Sequence, residues 1–268
     1  MTTDERVARG STDRFGYEWA NYAEVLPEHE AQLGRWMGAT GLSSFAGKRV
    51  LDVGCGMGRN PYFMLKNGAI HVTGVDVDEG SLAAARRNLA GNPGAEIKKA
   101  SVYELDPTEL GLFDRVTCIG VLHHLAEPER ALEAIWRCVK PGGDVVLWCY
   151  GREGNEVWLP VIQAFRFVGS RLPITTTHTL AKVTSRVAWP LITRLPFRTD
   201  YYRRLRELSR KNVESIIFDQ MLPHIAHYWR RSDMEALARP LIANGQGELF
   251  LDFVQGNSWH ARIKKRVV

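Results

Sequence analysis

Short apolar runs rich in β-branched residues alternate with segments of helical periodicity between Lys48 and about Gly151. This alternation is typical of parallel strands joined by crossover helices. It predicts an α/β fold with helices at Asn60–Lys66, Ser81–Leu89 and Pro128–Val139, the last ended by Pro141, Gly142 and Gly143. The predicted strands are Arg49–Gly54, His71–Val77, Ala95–Ser101, Phe113–Gly120 and Asp144–Tyr150.

The alternation stops after Gly151, and scattered prolines in residues 152–231 predict several short helices that cover the core. A helix is then predicted at Ser232–Asn244, with a capping box formed by Ser232 and Glu235, followed by a closing hairpin of Glu248–Val254 and Trp259–Lys264. We therefore divide the chain into an N-terminal helical and aromatic lid segment (1–47), a cofactor-binding core (48–151), a helical cap insertion (152–231) and a C-terminal helix with hairpin (232–268).

The composition is that of a folded protein without a disulfide framework. Hydrophobic residues make up 45% of the chain and charged residues 24%, and the four cysteines form no close pair. The polar N-terminus predicts neither a signal peptide nor a transmembrane span, so we expect a cytoplasmic protein with reduced thiols. A homodimer is left open. The net charge is +5, and one cluster of basic residues comprises Arg203, Arg204, Arg206, Arg210 and Lys211. We interpret this cluster as a solvated helix face, with binding to an anionic substrate or a membrane surface as the alternative.

A glycine-rich turn follows the first predicted strand. Gly54, Gly56 and Gly58 let the backbone approach a ligand closely, and a helix begins directly after them. A dinucleotide-binding turn would carry a third glycine at the position of Arg59, which counts against NAD as the ligand. The spacing thus favours a different nucleotide-type cofactor.

With Asp52 before it, this turn resembles the first motif of class I S-adenosylmethionine-dependent methyltransferases of the type 11 or UbiE-like group. The resemblance covers Lys48–Gly151 well and the last part of the chain loosely. It implies a doubly wound, seven-stranded, mostly parallel sheet with one reversed strand. It also implies S-adenosyl-L-methionine as the cofactor.

The same resemblance implies the cofactor contacts. Asp76, at the end of the second predicted strand, would accept hydrogen bonds from both ribose hydroxyls, whereas Asp78 is better placed to cap the next helix. Trp19 and Tyr22 are three residues apart and are expected to share a helical face that covers the methionine end and excludes water. The other expected contacts are Asp52, Gly54, Gly56 and Gly58 at the methionine portion, Val77 against the adenine face, and Ser101, Val102 and Ile119.

The catalytic residues are expected just after the fourth predicted strand, in the sequence Leu122-His123-His124-Leu125. Paired histidines at the carboxyl end of a strand face the ligand crevice of an α/β sheet, and a histidine can remove a proton from an acceptor hydroxyl. His123 and His124 are therefore the candidate bases, with His124 favoured. Glu153, or alternatively Glu156, is expected to orient the base or to replace it.

The acceptor is less well determined by the sequence. The histidine pair resembles that of bacterial sugar or glycan O-methyltransferases, which implies a sugar or oligosaccharide hydroxyl, for instance on a mannoside, with stacking on Trp158, Tyr201 or Trp229. The alternative is C- or O-methylation of an isoprenoid, quinone or polyketide, favoured by the apolar run Val157–Val168. A nucleic-acid acceptor is expected least. We predict no metal, and interpret Asp219, His224 and His227 as packing or substrate contacts.

Overall fold

A seven-stranded sheet forms the centre of the computed structural model, which describes residues 12–194, 205–206 and 208–267. Tyr201, Arg203 and Arg204 lie outside the described residues. The strands are β1 (Arg49–Val53), β2 (His71–Asp76), β3 (Ala95–Lys99), β4 (Phe113–Ile119), β5 (Val139–Tyr150), β6 (Gly247–Val254) and β7 (Ser258–Lys265). The α-helices are α1 (Thr12–Asn21), α2 (Glu28–Trp36), α3 (Arg59–Lys66), α4 (Glu79–Asn88), α5 (Pro107–Leu110), α6 (Pro128–Arg137), α7 (Leu159–Gly169), α8 (Ile174–Arg194), α9 (Arg210–Met221) and α10 (Arg231–Ile242).

The strand order is β3-β2-β1-β4-β5-β7-β6. Strands β1 to β5 pair in parallel, while β7 runs antiparallel to both of its neighbours, β5 and β6. This confirms the predicted doubly wound sheet with one reversed strand. The order reverses between β1 and β4, and ligands of such sheets bind outside the carboxyl ends of the strands at that reversal.

Apolar side chains cover both faces of the sheet, as the near-continuous apolar strands predicted. Along β1, Val50 packs with Phe63 of α3 on one face, and the next residue, Leu51, packs with Ile135 of α6 on the other. Alternate residues of a strand point to opposite faces, so a strand buried on both sides needs an apolar residue at each position. The sheet therefore holds β1 and β4 rigidly below the crevice.

Two predicted boundaries are wrong. Strand β5 begins at Val139 and not at Asp144, because Val139 already pairs with Phe113 of β4. The residues between Val139 and Asp144, including Gly142 at φ 81°, form an irregular part of the strand rather than a turn outside the sheet. Helix α10 begins at Arg231, and the carboxylate of Asp233 accepts a hydrogen bond from the Arg230 N–H at 2.8 Å. The predicted pair of Ser232 and Glu235 does not cap it.

Helix α1 is fastened to the helices that follow β5. Arg14 donates to the Gly169 carbonyl at 2.7 Å, the Tyr17 hydroxyl lies 3.1 Å from His178 Nδ1, and the Tyr22 hydroxyl donates to Glu214 at 2.8 Å. These long-range bonds tie the N-terminal segment to α7, α8 and α9. Across the part of the chain that the structure describes, no helix combines the length and apolar character needed to cross a membrane.

Candidate active site

The turn between β1 and α3 is shaped by its glycines. Gly54, Gly56 and Gly58 have φ values of 72°, 52° and 81°, a region that disfavours side chains. A Cβ atom on Gly54 would collide with the side chain of Val121, and one on Gly58 would lie 3.0 Å from the Ala85 backbone. The turn therefore depends on glycine both for its conformation and for its close packing.

Asp52 presents an unpaired carboxylate oxygen beneath this turn. The side chain is buried, and its Oδ1 accepts a hydrogen bond from the Thr117 hydroxyl at 2.7 Å. Its Oδ2 has no partner among the described residues. Burial raises the pKa of Asp52 to about 7. A buried, unsatisfied acceptor is costly unless a ligand completes it, and the ammonium group expected here would do so.

Asp76 ends β2 beside the same turn. Its Oδ2 accepts from the Gly56 N–H at 2.9 Å, and its Oδ1 accepts from the N–H groups of Val77 at 2.8 Å and Asp78 at 3.1 Å. Burial raises its pKa even though these bonds favour the charged form. Two carboxylate oxygens offer about four acceptor positions, so capacity remains for a ligand hydroxyl. Asp78 caps α4 as predicted, accepting from the Ser81 N–H at 2.7 Å.

The remaining expected cofactor contacts lie along the carboxyl edge of the strands. Val77 follows Asp76 and is 39% exposed, while Ile119, which ends β4, is buried. The Ser101 hydroxyl accepts from the Tyr103 N–H at 3.3 Å, which caps a short 3₁₀ turn that contains the buried Val102. These positions surround the crevice, and their contacts with a cofactor stay predictions.

Helix α1 covers the glycine turn. The Trp19 indole lies so close to Gly56 that a Cβ atom there would be 3.0 Å from its Nε1, and the Arg59 guanidinium lies 5.5 Å from the Trp19 ring and 5.2 Å from the Trp36 ring. Gly16 approaches the Asp78 side chain so closely that a Cβ atom would collide with the carboxyl group. The N-terminal helix thus lies directly against the glycine turn, and its expected role in excluding water stays a prediction.

Tyr22 does not share the surface that Trp19 presents to the turn. It follows the end of α1, and its hydroxyl bonds to His178 Nε2 at 3.0 Å and to Glu214 at 2.8 Å. Its ring packs near Phe218 at a centroid distance of 6.4 Å. The expectation that Tyr22 contacts the cofactor is therefore not supported, because buried partners on the cap helices already satisfy its hydroxyl.

The histidine pair lies just beyond the end of β4. His123 is fully buried, its ring is 4.1 Å from the Tyr150 ring, and neither ring nitrogen has a hydrogen-bond partner among the described residues. His124 is 8% exposed, and its Nδ1 lies 2.9 Å from the Ile225 carbonyl oxygen. Burial lowers the pKa of both, in the case of His124 to about 4. Both imidazoles are therefore neutral at pH 7.

Comparison with known proteins identifies the family of this chain. Residues 51–147 match the family described as "Methyltransferase domain". The ubiquinone biosynthesis O-methyltransferase of Paracidovorax citrulli (strain AAC00-1) is 36% identical over 167 residues, which are 62% of this chain and 69% of that protein. The chain belongs to the class I S-adenosylmethionine-dependent methyltransferases. Its cofactor is S-adenosyl-L-methionine.

Solved structures share the fold. The DhpI–SAH complex has a TM-score of 0.57 at 14% identity and covers 96% of both chains. Magnesium protoporphyrin IX methyltransferase from Synechocystis PCC 6803 with bound SAH has a TM-score of 0.51 at 13% identity, covering 99% of this chain and 88% of that chain. At such identities the likeness concerns the fold alone.

The carboxylate of Glu153, expected to orient or replace the base, is already hydrogen-bonded within the protein. One oxygen accepts from the Arg231 N–H at 3.1 Å and the other from the Trp259 indole at 3.3 Å. Both oxygens thus stabilise the start of α10 and the edge of β7, which argues against a catalytic role. Glu156 is exposed. In residues 12–194, 205–206 and 208–267, no three His, Cys, Asp or Glu side chains are grouped to hold a metal ion.

A buried polar cluster beside the crevice contains Asp219, which the sequence singled out, together with Glu18, Ser215 and Tyr150, which it did not. The Tyr150 hydroxyl donates to Asp219 at 3.0 Å, and the Ser215 hydroxyl donates to Glu18 at 3.1 Å, leaving the other Glu18 oxygen buried without a partner among the described residues. Burial and the nearby Asp219 raise the pKa of Glu18 well above its ordinary value, while the charge of Arg59 opposes this rise. The signal in the sequence was weak: an acid within an aromatic helix, and a Ser and an Asp four residues apart.

Proposed function

We propose that this methyltransferase methylates a hydroxyl oxygen of an isoprenoid or quinone-type acceptor, with His124 as the general base. The observation that carries the mechanism is the anchoring of His124 by the Ile225 carbonyl. Because a carbonyl oxygen only accepts, Nδ1 must carry the proton of the neutral ring, and Nε2 is left with its lone pair. In this tautomer, Nε2 is the ring nitrogen that can accept a proton from the acceptor hydroxyl.

His123 is proposed to position His124 rather than to act as the base. Its ring is enclosed by His124 and Tyr150, at centroid distances of 4.2 Å and 4.1 Å. With no exposed surface, it offers no room for an acceptor, and its packing restricts the rotation of the neighbouring imidazole. The protein therefore contributes a fixed, neutral base in a dry site.

The low pKa of His124 bears on the acceptor. A base of pKa about 4 removes a proton more readily from an acidic phenolic hydroxyl, whose pKa is about 10 by comparison with tyrosine, than from the much less acidic hydroxyl of a sugar. A quinol-type acceptor suits this base better. The relatives agree, since their name refers to ubiquinone biosynthesis, whereas nothing among them supports the sugar or oligosaccharide acceptor expected from the histidine pair.

The surroundings of the histidines also favour an aromatic acceptor. Phe15 of α1 lies 5.2 Å from the His124 ring, and Tyr150 lies 5.7 Å from it. The nearby polar groups already bond to one another: Arg166 Nη2 donates to the Tyr228 hydroxyl at 3.0 Å, and Tyr150 donates to Asp219. Aromatic faces, more than free hydrogen-bonding groups, therefore remain for an acceptor ring.

When bound, S-adenosylmethionine supplies an electrophilic methyl group. Asp52 and the glycine turn are proposed to hold its methionine portion and Asp76 its ribose, while Trp19 excludes water from above. His124 Nε2 then takes the proton that the acceptor hydroxyl releases as its oxygen is methylated. Alignment and dryness account for most of the rate in such a displacement, and a general base is typically worth ~10²–10⁴-fold.

An acceptor assay with labelled S-adenosylmethionine tests the proposal. We expect methyl transfer to a prenylated catechol or hydroquinone, and little to methyl mannoside. The product must carry the label on oxygen, as shown by release of the labelled methyl group as methyl iodide with hydriodic acid. Transfer to the mannoside without transfer to either phenol would refute the proposed acceptor, and transfer to a ring carbon would refute O-methylation.

A further inference from the structure

Glu18 of α1 leaves one buried carboxyl oxygen without a partner beside the crevice. The side chain is 1% exposed, and the Ser215 hydroxyl of α9 donates to its Oε1 at 3.1 Å. Its Oε2 has no hydrogen-bond partner among the described residues. An acceptor buried in this way is costly, so it is usually completed by a ligand or a water molecule. Neither the expected cofactor contacts nor the proposed base accounts for this oxygen.

Glu18 lies on the side of α1 that faces the proposed base. Phe15 is three residues before Glu18, so the two side chains project from the same side of the helix, about one turn apart. The Phe15 ring lies 5.2 Å from the ring of His124. An acceptor ring that packs on Phe15 with one hydroxyl at His124 therefore extends along α1 toward Glu18.

A second set of contacts connects Glu18 with the surroundings of His124. Burial and, after it, the charge of the nearby Asp219 raise the pKa of Glu18. Asp219 accepts a hydrogen bond from the Tyr150 hydroxyl at 3.0 Å, and the Tyr150 ring lies 5.7 Å from the His124 ring. Glu18 and His124 thus border the same region from α1 and from the end of β4. A carboxyl oxygen can accept from a hydroxyl whether or not the group is protonated, so a neutral hydroxyl suits Glu18.

We infer that Glu18 Oε2 accepts a hydrogen bond from a second hydroxyl of the acceptor ring, while His124 takes the proton of the first; this inference rests on the proposed function. Glu18 then selects a dihydroxy ring, such as that of a reduced quinone, over a ring with a single hydroxyl. The selectivity arises because an acceptor without the second hydroxyl leaves the buried oxygen unpaired. The cofactor ammonium is the other candidate partner, but Asp52 Oδ2 is already available to it beneath the glycine turn.

Two kinds of acceptor and two variants test this inference. The acceptors are a prenylated hydroquinone, kept reduced under argon, and the two prenylated phenols that each lack one of its hydroxyls. Labelled S-adenosylmethionine gives kcat/KM for each, and the preference is the value for the hydroquinone divided by that for the better phenol. Glu18→Leu removes the unpartnered oxygen together with the hydrogen bond from Ser215. Ser215→Ala is the matched control, because it removes that hydrogen bond alone.

We expect a preference of at least ~10-fold in the wild type, since a hydrogen bond to a buried carboxyl group is worth that much. Ser215→Ala should keep this preference, and Glu18→Leu should reduce it to less than about threefold, mainly through slower use of the hydroquinone. The Kd of SAH, measured by calorimetry, should be equal in all three proteins, which shows that the variants are folded.

The wild-type preference tests the inference without any variant, and its absence overturns the inference. So does a preference that survives in Glu18→Leu, or one that Ser215→Ala loses to the same extent. A weaker affinity of Glu18→Leu for SAH would assign the oxygen to the cofactor instead. Transfer to none of the acceptors would refute the proposed function and this inference with it, whereas equal transfer to all of them would overturn this inference alone.

Discussion

Replacing Asp76 with asparagine separates the contribution of its charge from that of its shape. In the structure one carboxylate oxygen receives the Gly56 N–H and the other receives the Val77 and Asp78 N–H groups. Asparagine has a single oxygen, so its amide N–H₂ must face at least one of these donors. With its oxygen kept toward Val77 and Asp78, the bond to Gly56 is lost, together with a charged acceptor for the ribose.

A hydrogen bond to a charged group is worth about 1.5–3 kcal/mol. The loss of the ribose contact alone corresponds to roughly 10- to 150-fold weaker binding of SAH. Displacement of Gly56 would add to this loss, because the turn then no longer presents its backbone correctly. We therefore expect at least a tenfold increase in Kd, with a modest fall in the melting temperature because the bond to the Gly56 N–H is lost in the free protein as well.

Isothermal titration with SAH measures this effect. Asp78→Asn is the matched control, because it removes the same charge two residues away while asparagine still caps α4. Its Kd should change by less than about threefold, since salt screens a charge that the ligand does not contact. Equal Kd values for the two variants, or for Asp76→Asn and the wild type, would remove Asp76 from the cofactor site.

Three further predictions address the base, the lid and the core. His124→Gln should lower kcat by ~10²–10⁴-fold with an unchanged Kd for SAH. Because burial lowers the pKa of His124 to about 4, the wild-type rate should fall only as the pH drops toward 4, where the imidazole becomes protonated. A rate that already falls near the ordinary histidine pKa of ~6.5 would contradict this prediction. Gly16→Ala should push α1 away from the Asp78 carboxyl group and speed the release of SAH, measured by stopped-flow tryptophan fluorescence with a Trp19→Phe variant to identify the Trp19 signal. An unchanged rate would show that α1 does not control access. Arg115→Met should lower the free energy of unfolding by about 3–5 kcal/mol in urea titrations, because Asp144 then loses a buried partner that donates to it at 2.7 and 2.8 Å. A loss below about 1 kcal/mol would mean that Arg262, which also donates to Asp144, compensates.

The strands and the cofactor turn were readable from local sequence because local chemistry determines them. A strand buried on both faces must be apolar throughout, and the turn needs glycine at φ values near 52–81°. The start of β5 was predicted wrongly because Gly142 and Gly143 indicate a turn in most contexts. In the structure, pairing with β4 holds them in an irregular part of the strand. Tertiary pairing overrode the local preference.

By itself, the sequence determined the α/β class, the acids at the ends of β1 and β2, and the position of the histidine pair, because each of these follows from short-range patterns. The resemblance to the family added the seven-stranded sheet with one reversed strand, and the structure supplied the order of its strands. Tertiary structure alone decided which side chains surround the pair. Glu18, His124 and Asp219 are distant in the chain, and Tyr22 is directed to the cap rather than to the crevice by His178, a residue far along the sequence. These contacts depend on how α1 and α9 pack together. The burial that results from such packing also lowers the pKa of His124, on which the choice of base and acceptor depends.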